Sequence, residues 1–375
     1  MDSRVVTNYL KGLAILSVME LHYAEIYAQS VIPEKINIYI SQVVYFFFVL
    51  SGYGLYHSLE KRFGGGLTLK TFMFFYFRRA VRIFPLFWLA MLLVPLFLKN
   101  PQTWELSAHN AGIYLGLPWL RPDSWFWFIP ALIQCYLAAP FLFLLMKKIK
   151  PWHFLFGIFM ATDLLIFFGV YYVAHYSTIP QASLLGAFIL SGTFLTNIIL
   201  FSIGLVMPLF IEEHRELLRK TAVVGLPASL AMIALSFYLT KTPDVFFNYS
   251  QAYYTMIAIA FIPLFCAFMI ALGSQRVMPF KGIFCLLGIN SLSLYLFHPH
   301  FYGLLNHLGI TRRGYFSVSG SIISLTVFPL FVLVCYGLER SLPRIGARVK
   351  RLLAPVKNAI IGKMPTSVLQ EIEEE

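Results

Sequence analysis

Lys11, Glu20, His22 and Glu25 lie inside the first strongly apolar stretch of the chain, Tyr9 to Ala28. An imidazole can take or give a proton near neutral pH, because its ordinary pKa is about 6.5. A carboxylate beside it can orient the ring and stabilise the imidazolium. At 100° per residue, Lys11 and His22 return to nearly the same helix face, about three turns and ~16 Å apart. Glu25, three residues after His22, lies close to that face, whereas Glu20 points largely away. The pattern describes a polar stripe with His22 as a base, Glu25 as its carboxylate and Lys11 as a fixed charge. A structural ion pair fastening this helix to its neighbours would use the same residue types, and spacing alone does not separate the two readings.

The element that carries these groups is a helix long enough to cross a bilayer, for which about 20 apolar residues suffice. An ionisable group at such depth costs at least ~2.5–3.5 kcal/mol, so it usually faces a polar cavity rather than lipid. The whole chain has this character: 375 residues, 59% hydrophobic and 12% charged, with a mean hydropathy of +0.73. Soluble domains run near 25% charged, and the comparison points to an integral membrane protein. Ten segments can span, at 9–28, 36–56, 81–98, 126–146, 154–174, 184–211, 222–239, 252–272, 283–305 and 318–338. With the N-terminus cytoplasmic, 22 of the 29 basic residues fall on the cytoplasmic side and six outside, with Lys11 inside the first span. That bias predicts a multi-pass protein of the inner or plasma membrane with both termini cytoplasmic.

The expected fold class is therefore all-α, a polytopic bundle of about ten transmembrane helices. Residues 1–340 form the membrane domain, and 341–375 form a basic, then acidic, cytoplasmic tail. Nothing reads as a cleavable signal peptide. The net charge of +12 serves topology and lipid headgroups, so no nucleic-acid partner is expected. Cys135, Cys266, Cys285 and Cys335 lie in apolar segments without CxxC spacing and read as core residues. No His/Cys/Asp cluster has metal spacing, and no Walker or dinucleotide motif occurs, so no metal is expected. No internal repeat of clear period is present.

Three segments together resemble the acyltransferase 3 family of integral membrane acyl-CoA-dependent O-acyltransferases. YLKGLAILSVMELHY, Tyr9 to Tyr23, is similar to that family's basic residue, ten intervening positions, then histidine. FFFVLSGYGLYHS, Phe46 to Ser58, leads into FYFRRAVRIFP, Phe75 to Pro85, and SLSLYLFHPHF, Ser291 to Phe301, resembles the late Tyr-Leu-aromatic-His-Pro-like helix. The resemblance covers about residues 5 to 340. Lys11 stands where the family usually has arginine, which keeps the charge and loses the planar fork. Gln134 stands where many relatives have glutamate, and the hydrolase-like outer domain of many relatives is lacking, which describes a stand-alone transferase.

The resemblance implies transfer of an acyl group from cytosolic acyl-CoA, with acetyl-CoA the leading donor, to a hydroxyl of a surface polysaccharide or lipid-linked glycan. The partners it implies are the lipid bilayer and a carbohydrate or glycolipid acceptor, and a homo-oligomer is compatible with it. His22 is the general base in this reading, with Glu25 and Lys11 beside it. The resemblance assigns Arg79 and Arg82, with Arg78, to the CoA phosphates, which guanidinium pairs bidentately; basic residues beside a span also act as topology determinants. A secondary set comprises Glu20, Tyr295, His298 and His300. The last two flank Pro299, which frees a carbonyl and bends its helix, and Tyr295 shares a face with His298. The rival from another class is a transporter of a polysaccharide intermediate or small solute, with Lys11, His22 and Glu25 as a proton relay.

Overall fold

The computed structural model describes residues 3–27, 43–64, 68–97, 126–151, 153–162, 194–213, 216, 278–308 and 326–341. Among them every regular element is a helix: α1 (Ser3–Tyr27), α2 (Val43–Phe63), α3 (Leu69–Phe97), α4 (Phe128–Lys148), α5 (His153–Thr162), α6 (Phe194–Glu213), α7 (Lys281–Ile289), α8 (Ser291–His307) and α9 (328–341). The expected spans 222–239 and 252–272 lie outside the described residues.

The helix α3 begins well before the expected span at 81, and its cap shows why. The Thr71 N–H donates to Thr68 Oγ1 and the Thr68 N–H to Thr71 Oγ1, both at 3.2 Å, a reciprocal cap that satisfies the first orphan donors. Its 29 residues extend about 43 Å at 1.5 Å each, longer than a hydrocarbon core of about 30 Å. The basic FYFRRAVRIFP segment is consequently helical, with Arg79 and Arg82 on neighbouring turns.

The ninth expected span, 283–305, is two helices. The axes of α7 and α8 meet at 81° across Asn290. The Asn290 side chain closes α7 by donating from Nδ2 to the Leu286 carbonyl at 2.7 Å. α7 crosses α1 at backbone contact. Gly12 lies against the Phe284 backbone and Gly288 against the Asn8 backbone, where a Cβ on either glycine would overlap a carbonyl. Gly52 and Gly204 make the same reciprocal approach between α2 and α6. Small residues let helices approach in this way where lipid offers no competing hydrophobic drive.

Inside, Phe48, Phe87, Phe143 and Phe201 are fully buried and join α2, α3, α4 and α6. Outside, Leu92 and Leu96 on α3, Leu137 and Phe141 on α4, and Leu330 and Leu333 on α9 are all more than half exposed. An apolar exterior around an apolar core suits hydrocarbon as the solvent. Among the described residues α4 alone is long and apolar enough to cross a membrane by itself, and the bent α7–α8 pair passes together. In α1 the polar stripe lowers the average.

Candidate active site

α1 and α8 bring two imidazoles together. His298 Nε2 lies 2.8 Å from His22 Nδ1, with ring centroids 4.8 Å apart and planes 20° from parallel. His298 is fully buried, and its Nδ1 lies 2.6 Å from the Tyr295 carbonyl. The Tyr302 hydroxyl donates to the Met19 carbonyl at 2.7 Å and clamps α8 to α1 beside the pair. Phe128 of α4 packs edge-on against Tyr295 at 5.3 Å and closes that side.

At the Lys11 end of α1 lies a cavity of about 1000 Å³. Its walls come from α2, α3, α7 and α9, and five arginines line it: Arg62, Arg78, Arg79, Arg82 and Arg340. Aromatic faces hold several of these cations. Arg79 lies 5.4 Å from the Tyr136 ring centre and 5.6 Å from that of Phe75, and Arg62 lies 4.8 Å from that of Phe74. Burial pulls the Arg79 guanidinium below its ordinary pKa, and the charges of Arg82, Arg78 and Arg62 add repulsion. One carboxylate shares the space. Glu339 accepts from Ser293 Oγ at 3.0 Å; burial raises its pKa, opposed by Arg82 and by that hydrogen bond.

Among the described residues, two buried polar atoms of the cavity lining have no hydrogen-bond partner, the donor Arg79 Nε and the acceptor Asn290 Oδ1. Leaving such a group unmet costs about 1–3 kcal/mol, so a ligand that supplies partners recovers that cost. Clustered guanidinium groups suit phosphate, which they contact in bidentate fashion.

Of the residues singled out in the sequence, His22, Tyr295 and His298 meet at one end of α1. Lys11 meets Arg79 and Arg82 at the other, within electrostatic reach of both. Arg78 lines the same cavity. His300 turns elsewhere: its Nε2 donates to the Ala90 carbonyl of α3 at 2.8 Å, and it packs among Phe97, Phe126 and Phe297. Glu20 is half-buried and acts electrostatically on Tyr23. The Glu25 side chain lies outside the described residues. The His22 ring thus meets an imidazole from α8 as well as the Val18 carbonyl of its own helix. Sequence reasoning passed over Arg62, Arg340, Glu339 and Asn290 as site residues. The first two stood in basic runs read as topology signals, and Glu339 was a lone acid after an apolar stretch. No group of three or more His, Cys, Asp or Glu side chains that could hold a metal occurs among the described residues.

An apolar exterior, an interior imidazole pair and a separate arginine-lined cavity describe a helical membrane protein with polar interior sites. Residues 7–340 match the family model described as an acyltransferase domain, so the chain belongs to the acyltransferase 3 family and is a membrane acyltransferase. Comparison with curated proteins and with solved structures returned no match.

Proposed function

We propose that the protein is an O-acyltransferase that moves an acyl group, acetyl first among them, from cytosolic acyl-CoA to a hydroxyl of a surface polysaccharide or lipid-linked glycan. The observation that carries this reading is the layout of α1. Its His22 pairs with His298, and its Lys11 approaches the arginine cavity about 16 Å away along the helix. One site suits a polyphosphate head and the other a proton transfer. In this reading Arg79 and Arg82, with Arg62, Arg78 and Arg340 around them, bind the phosphates of the donor. His22 takes the proton of the acceptor hydroxyl as its oxygen attacks the thioester carbon. The tetrahedral intermediate collapses with loss of CoA thiolate, which takes that proton from the imidazolium. The membrane frame is about ten spans with both termini cytoplasmic, which places the donor cavity on the side where acyl-CoA is made.

The test is transfer of label from acetyl-CoA to glycan acceptors by purified protein in detergent, where no gradient exists. Labelled, ester-linked acceptor is the expected product. Solute flux into liposomes with no acyl transfer across several donors and acceptors would overturn the reading in favour of the proton-relay transporter.

A further inference from the structure

We propose that Asn290 is a specificity-determining residue of the arginine cavity. Its side-chain oxygen accepts a hydrogen bond from the bound ligand, so the cavity selects a phosphate ester that carries an N–H or O–H group over a bare polyanion. The proposal deepens the reading of this cavity as the donor site and rests on it. Asn290 stands where α7 meets α8, is fully buried and lines the cavity. A carbonyl oxygen only accepts hydrogen bonds, so the amide atom 2.7 Å from the Leu286 carbonyl is Nδ2. The backbone N–H of Asn290 goes to the same carbonyl at 3.3 Å, and its own carbonyl receives the Leu294 N–H at 2.9 Å. One polar atom is left over. Oδ1 has no partner among the described residues.

The surroundings hold donors in plenty. Five arginines and Ser58 line the same space, yet none of them reaches Oδ1. The nearby carboxylate is engaged elsewhere: Glu339 accepts from Ser293, three residues along α8, through both its Oγ at 3.0 Å and its backbone N–H. The junction of α7 and α8 thus brings an unmet acceptor to a cavity whose other polar groups are mainly guanidinium. Arg79 Nε is an unmet donor of the same lining. A fully ionised anion meets the guanidinium groups but offers Oδ1 only lone pairs, which repel it. A ligand with both functions meets both. Acyl-CoA has them, with phosphates for the arginines and amine, hydroxyl and amide groups to donate to Asn290. A site built to receive such a hydrogen bond discriminates against an analogue that lacks it, because a buried polar atom is then left unmet.

The test measures binding to the full chain in detergent micelles with two probes. CoA carries phosphates and donors, whereas naphthalene trisulfonate is a polyanion with no N–H or O–H. Asn290→Ser removes Oδ1 and keeps a hydroxyl that closes on the Leu286 carbonyl four residues back. It should weaken CoA about tenfold or more and leave trisulfonate within about twofold, the tenfold being the effect of one unmet buried acceptor. Asn290→Asp keeps an oxygen acceptor in place and adds a charge, so it should weaken both probes similarly and hold their ratio near that of the wild type. Equal losses for CoA and trisulfonate in Asn290→Ser overturn the proposal, since a residue that only shapes the wall moves both. No loss for either overturns it as well, because a water then satisfies Oδ1. If Asn290→Ser does not fold, the wild type labelled with 13C-asparagine decides. A carboxamide carbon should shift downfield when CoA binds and not when trisulfonate binds, Asn290 being the one asparagine among the described lining residues. Absence of that shift overturns the proposal. CoA that binds neither wild type nor variant removes the donor reading of the cavity and this proposal with it, whereas CoA binding with unchanged selectivity removes this proposal alone.

Discussion

A histidine works as a base through the nitrogen that lacks the proton, so its neighbours matter as much as its depth in the membrane. His22 was legible from sequence because an imidazole inside an apolar stretch is expensive unless it has a polar environment. His298 was singled out too, but its pairing with His22 was not legible, because 276 residues separate the two and helical phase relates only residues of one helix. His22→Gln keeps hydrogen bonding without an effective base. It should leave acyl-CoA binding intact while transfer falls by ~10²–10⁴, the usual contribution of a positioned base. Equal rates in the variant and the wild type, measured with purified protein, would remove His22 from that role.

The helices are joined by close backbone approaches. Hydropathy located α1, α2, α4 and α6 because apolar length is visible along the chain, but the 81° bend between α7 and α8 was invisible to it. A window average over 283–305 sees a continuous apolar run, while the bend depends on Asn290 folding back on Leu286 and on α7 crossing α1. The glycines at that crossing admit a direct test. Gly288→Ala and Gly12→Ala each place a methyl against a neighbouring backbone and should destabilise the protein by about 1–3 kcal/mol, the usual cost of overpacking. Gly54→Ala meets nothing within 4 Å and should be neutral or slightly stabilising. Thermal unfolding in detergent compares the three, and equal midpoints would contradict the packing described.

At the scale of the molecule, α2 and α3 from early in the chain and α7 and α9 from late in it supply the walls of one cation-rich cavity. Clustering of like charge in a partly buried space raises the local concentration of anions. Replacing Arg79 and Arg82 together with Ala should weaken acyl-CoA binding at least tenfold, since a charge-assisted hydrogen bond is worth about 1.5–3 kcal/mol. Lysine at either position should rescue only partly because the fork geometry is lost. Titration of the folded double variant with CoA checks this, and unchanged affinity would return both residues to a topological role. The orientation of the whole chain has its own test. Reporter fusions after Lys61 and after Ile310 should lie on opposite sides of the membrane, and finding both on one side would contradict the charge-derived topology.

Sequence alone determined the all-helical class, the membrane as solvent, the family and the two ends of α1 as places of chemical interest. These follow from local quantities: apolar length, charge cost in hydrocarbon and residue spacing on one helix. Tertiary structure decided what each end meets. It set His298 against His22 and left Arg79 Nε and Asn290 Oδ1 without a hydrogen-bond partner among the described residues of the cavity wall. It also brought Arg62, Arg340 and Glu339 to the arginines already suspected. Pairing between helices depends on which faces can approach, and here glycine contacts and one broken helix settle that, which no single-helix periodicity encodes.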